Sequence, residues 1–132
     1  MYQVNLAVGI GPFELNTHFY PHLESFGVIT YTPGIGDHGI YTIDAEATAL
    51  YTKGGIIKGI ACAGNCSLHG VELMGLHINT ILALLKGELY DVEHVDYADN
   101  TRHIVYCFES AGLQLWTSEA GKVVKVFIAS HN

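Results

Sequence analysis

A chain of 132 residues with 49% apolar and 14% charged side chains is sized for one well-buried core and is too apolar to be disordered. Its formal charge of −7, with a single arginine (Arg102) and no Lys or Arg before Lys53, argues against direct nucleic-acid binding, which needs clustered cations to displace counterions. No apolar run approaches the roughly 18 residues that span a bilayer. The start MYQVNLAVGIG lacks a basic n-region, and three cysteines cannot pair off completely, so the chain reads as cytoplasmic with reduced thiols.

In chain order, GPFELNTHFYPHLESFG (11–27) sets Phe19, Leu23 and Phe26 at helical spacing before Gly27. Pro21 removes one backbone donor, so this helix starts late or bends. His18 and His22, four apart, would share a helical face as an acid–base pair, although Pro21 lies between them. VITYT (28–32) reads as a strand. GIGDHG (34–39) matches the dinucleotide fingerprint in its letters, but a strand-like IYTIDA follows where a helix is needed, so it reads as a loop between strands. Residues 41–61, YTIDAEATALYTKGGIIKGIA, give an apolar-aromatic strand, a glycine turn and a β-branched strand.

Cys62, Cys66 and His69 form C-x3-C-x2-H, a soft donor set that needs a fourth ligand to close a zinc site. Two buried thiols are the plainer reading, and no metal or other cofactor is expected. In GVELMGLHINTILALLKG (70–87), Ile78, Ile81, Leu82 and Leu85 recur at helical spacing, Gly87 follows as a stop, and His77 caps or packs at the start. GELYDVEHVDYADN (87–100) holds Glu88, Asp91, Glu93, Asp96 and Asp99 interleaved with Tyr90 and Tyr97, without one cation. Such a stretch suits a surface that meets a basic partner. It equally suits an edge strand protected by charge.

Residues 106–128 then repeat 41–61. Tyr41 corresponds to Tyr106, Asp44 to Glu109, Leu50 to Leu115, Tyr51 to Trp116 and Thr52 to Thr117; after a two-residue insertion Gly54 corresponds to Gly121 and Lys58 to Lys125. Upstream, Glu14-Leu15 corresponds to Glu72-Leu73. The expected fold is α+β: a single domain of two tandem βαβββ-like pseudo-repeats, about 1–64 and about 65–132, forming one antiparallel sheet with two short helices packed on one face. Neither half can cover its sheet alone.

The layout G-x-E-L-M-G-L-x-I-x-x-I-L-x-L-L-x-G, then Y-x-F-E-S-x-G-L-Q-L-W-T and G-K-V-V-K-V, resembles a bacterial tandem-repeat build. It is similar to the modules of β-lactamase inhibitory protein and of the small outer-membrane assembly lipoproteins. The likeness covers 70–128 well and 9–61 loosely, and departs from them in Pro21, in the missing lipoprotein leader and in the absence of paired cysteines. It implies a protein binder.

The function expected on these grounds is protein binding or inhibition, in its sharpest form an acidic cytosolic immunity protein that neutralises a basic toxin such as a nuclease. Glu88, Tyr90, Asp91, Glu93, Asp96, Tyr97 and Asp99 are its candidate contacts, and no residue set forms a catalytic signature. The alternatives are a small hydrolase or ribonuclease-like enzyme using His18, His22 or His77 with Glu14 or Glu72 between the repeats, and a structural or assembly module.

Overall fold

The computed structural model describes residues 2–21, 27–44 and 47–130. The chain opens with three short strands: β1 (Tyr2–Asn5), β2 (Gly9–Ile10) and β3 (Phe13–Glu14). A first meander follows, of β4 (Ile29–Pro33), β5 (His38–Ile43), β6 (Thr48–Lys53) and β7 (Ile56–Cys62). A second short pair, β8 (Cys66–Leu68) and β9 (Val71–Glu72), leads into α1 (Ile78–Leu84). The chain closes with a second meander of β10 (Asp91–Asp96), β11 (Arg102–Phe108), β12 (Leu113–Thr117) and β13 (Val123–Ala129).

Alternation of β-branched or aromatic residues with polar ones builds the meanders, because successive side chains in a strand point to opposite faces. Their last strands, β7 and β13, pair antiparallel at the centre of an eight-stranded sheet ordered β10-β11-β12-β13-β7-β6-β5-β4. On its inner face, Leu113, Ile128, Ile60 and Leu50 lie in register across four strands, none more than 1% exposed. Each such side chain contributes about 1.5–3 kcal/mol by leaving water. A five-stranded sheet, β3-β2-β1-β8-β9, supplies Val4, Ile10, Phe13 and Leu68 to the same core, and α1 adds Ile78 and Ile81.

The two meanders correspond in register up to their final turns. Tyr41 opposes Leu50 as Tyr106 opposes Leu115, and a bulge falls between Tyr51 and Thr52 as between Trp116 and Thr117. At the bulge the buried Thr52 hydroxyl donates to the Gly39 carbonyl at 3.2 Å, and the Thr117 hydroxyl to the Ile104 carbonyl at 2.9 Å. The lead-ins match as well. Leu15 N–H bonds the Val8 carbonyl and Leu73 N–H the Cys66 carbonyl; Phe19 N–H reaches Gly55 and Ile78 N–H reaches Gly121. Asn16 and Gly75, at equivalent places, both take the left-handed backbone (φ 65 and 79°) that returns the chain to Ile57 and Val123.

Three expectations are corrected. The protein is mostly β with two sheets, and its described residues contain one α-helix, so it is not an α+β fold with two helices on one sheet. The helical spacing of 19–26 misled because Phe19 lies in no helix and is buried in the core, its N–H spent on Gly55; His22, Leu23 and Phe26 lie outside the described residues. The second sheet went unread because strands of two to four residues are too short to display a period. Finally, Ile57 opposes Thr52 as Val123 opposes Thr117, so the second hairpin turn is one residue longer, not two, and Gly55 rather than Gly54 is the counterpart of Gly121.

Candidate functional site

Among the described residues six of the eight strands of the long sheet pair on both sides, while β10 and β4 each pair on one side alone. Register across the β10 end sets Asp91, Cys107, Gln114 and Phe127 in one row of the outer face and Glu93, Val105, Trp116 and Lys125 in the next. Phe127 lies over Gly59, where a Cβ would stand 2.8 Å from the ring, and meets Tyr51 edge-on at 5.5 Å. Lys125 Nζ sits 3.9 Å above the Trp116 ring, and burial pulls its ammonium below its ordinary value.

Two adjoining depressions open here. The larger, about 560 Å³, is lined by Leu89, Tyr90, Asp91, Cys107, Glu109 and Ser110. The second, about 320 Å³, shares Asp91, Cys107 and Glu109 and adds Glu93 and Phe127. Neither has a Lys or Arg in its wall. Leu89 is 86% exposed and Tyr90 44%, so an apolar lip stands beside the carboxylates. Burial pushes the Cys107 thiol up, and the charges of Glu93 and then Asp91 push it further.

The seven acidic-stretch residues divide. Tyr90, Asp91 and Glu93 belong to these depressions, and Glu88 adjoins them by accepting from Ser110 Oγ at 3.3 Å. Asp96, Tyr97 and Asp99 instead close the β10–β11 hairpin. Asp96 accepts from Arg102 Nε at 2.6 Å; Tyr97 Oη shares a 2.9 Å hydrogen bond with His103 Nδ1. Asp99 accepts from the Thr101 hydroxyl at 2.6 Å and from its N–H at 3.1 Å, which hold its carboxyl below the usual range. Glu109, Cys107, Ser110, Gln114 and Phe127 were not anticipated as site residues. Laying the alternation of 106–128 beside that of 89–97 is the step that finds them.

Cys62 and Cys66 are buried together, and the Cys66 thiol is raised far above its ordinary value, first by its hydrogen bond with Cys62 and then by burial. His69 lies exposed in the β8–β9 turn with φ 51°. No group of three metal-ligating side chains forms among the described residues. His77 caps α1, its Nδ1 accepting from Asn79 N–H at 3.1 Å. His18 stacks on Tyr20 and shares with Glu14 a cavity of about 100 Å³, below the roughly 300 Å³ at which small-molecule sites begin. Residues 34–37 connect β4 to β5, with a strand following in place of a phosphate-binding helix.

Among the described residues no helix is long and apolar enough to cross a membrane. Compared with protein-family models, with curated proteins and with solved structures, the chain gives no match in any of the three.

Proposed function

We propose that this protein binds and inhibits a basic protein partner through β10 and the depressions beside it, in the sharpest form as a cytosolic immunity protein that neutralises a basic toxin such as a nuclease. The observation that carries this reading is the wall composition. Asp91, Glu93 and Glu109 stand with Leu89, Tyr90 and Phe127 and with no cation. Carboxylates there steer a basic surface inward and complement its side chains, while the aromatic and aliphatic groups supply area that can be dried. Asp96 and Asp99 contribute long-range field and hairpin shape, not contacts.

A partner recovered from source cells on the immobilised chain, then purified, supplies the test. Asp91→Lys with Glu93→Lys slows association by about tenfold or more at low ionic strength, and the loss shrinks as salt screens the charges. Asp99→Asn changes association far less. An association rate untouched by the double reversal sinks the proposal.

A further inference from the structure

The two open edges of the long sheet differ in chemistry. Residues 27–36, GVITYTPGIG, carry no charged side chain in a chain whose net charge is −7. Here Val28 is 65%, Tyr31 48% and Ile35 92% exposed. On the far edge, β10 carries Asp91, Glu93 and Asp96 within six residues, and antiparallel pairing of β10 with its own copy would crowd three carboxylates from each strand into one seam. β4 has no such protection.

Its backbone faces can be assigned. Asp44 N–H bonds the Val28 carbonyl and Gly34 N–H the His38 carbonyl, so even-numbered residues of this strand spend their backbone groups on β5. The groups of Ile29 and Tyr31 therefore point out of the sheet, and Pro33 ends the outward row with a carbonyl and no donor. The Tyr31 ring is already held, 4.7 Å from Tyr41 and laid over Gly39. Its other side faces outward.

We propose that two copies of this chain join along β4 as an antiparallel two-fold dimer, continuing the eight-stranded sheet of one into the other. With the axis passing between the two Thr30 residues, Ile29 of each copy opposes Tyr31 of the other, and the outward N–H and C=O groups of both residues exchange hydrogen bonds. The interface is isologous, and the pairing opposes no like charges, which is what favours a second copy over an addition to β10. Pairing β4 of one copy with β10 of the next would instead build open chains. One strand of contact lies at the small end of protein interfaces, below about 1,200 Å², so the dimer exchanges with monomer on dilution.

Sedimentation velocity of the whole chain across a concentration series tests this, with hydrogen exchange alongside. Wild type passes from monomer to dimer, and exchange at the Ile29 and Tyr31 amides slows as dimer forms while the Thr30 amide is unaffected by concentration. Thr30→Lys sets two ammonium groups opposite each other on the axis; it shifts the midpoint to about tenfold higher concentration or more, and added salt partly restores it. Val92→Lys on the opposite edge leaves the midpoint where it was. Matching thermal transitions show that each variant is folded. The proposal is overturned by a wild type that stays monomeric throughout, by species larger than a dimer, or by a Thr30→Lys midpoint equal to wild type.

Discussion

In the first meander Thr52 bonds the Gly39 carbonyl beneath an outward Tyr51; in the second Thr117 bonds the Ile104 carbonyl beneath an outward Trp116. Below the two bulges the positions are held alike, Leu50 with Leu115 and Ile60 with Val126, all fully buried. Above them they diverge. Tyr51 leans on Phe127 from the other half, whereas Trp116 lies under Lys125 of its own hairpin. The inward side of each meander must fit one shared interior and is free to change only by repacking it. The outward side and the two edges are free of that fit, and there the halves have parted into an acidic flank and an uncharged one.

The sharpest way to break that comparison is at the shared interior. Leu50→Ala and Leu115→Ala should each lower unfolding free energy by about 2–5 kcal/mol, and by similar amounts, in urea titrations. A large loss at one and a small loss at the other would mean that the two positions do not serve one core. Next come the bulge hydroxyls. Thr117→Val and Thr52→Val should cost about 0.5–1.5 kcal/mol each by the same measurement, with the larger loss at Thr117, whose bond is shorter. Equal stability of Thr117→Val and wild type would remove the bond from the account.

The smallest effect concerns the acidic flank. Cys107 is only partly buried, while Cys62 and Cys66 are fully so; mass spectrometry after iodoacetamide should therefore find the folded chain labelled at Cys107 alone. Burial first, and then the charges of Glu93 and Asp91, raise the pKa of this thiol, so Glu93→Gln with Asp91→Asn should speed its alkylation at fixed pH by raising the thiolate fraction. Unchanged rates would place those carboxylates too far from Cys107 to share a depression with it.

What the bare sequence disclosed follows how long each signal runs. The strands within 41–61 and 106–128 were legible because five to seven residues of β-branched and aromatic alternation outlast chance. The strand carrying Asp91 and Glu93 lacks that alternation, its Val92 and Val95 being three apart; its charges suited an edge strand, and it lies at the sheet edge. Gly9-Ile10 and Val71-Glu72 were not, since two residues have no period; their pairing is set by what lies across the core. Phe19 read as helix because its spacing to Leu23 and Phe26 says nothing of where its N–H goes. Glu109 showed only as the counterpart of Asp44; its place beside Asp91 depends on the 3-10 turn Glu109–Ala111, a three-dimensional detail.

The position of β1 bears on the order of events as the chain is made. It leaves the ribosome before β2 and β8, yet it lies between them, with Tyr2 beside Cys66 in parallel register. The chain must be made as far as β8 before that slot exists, and the central β7–β13 seam waits longer still, for Val123–Ala129. Such distant pairings make for slow, late closure. A nascent chain halted after the first meander would therefore hold a folded hairpin stack with its oily side uncovered, the state most in need of a chaperone.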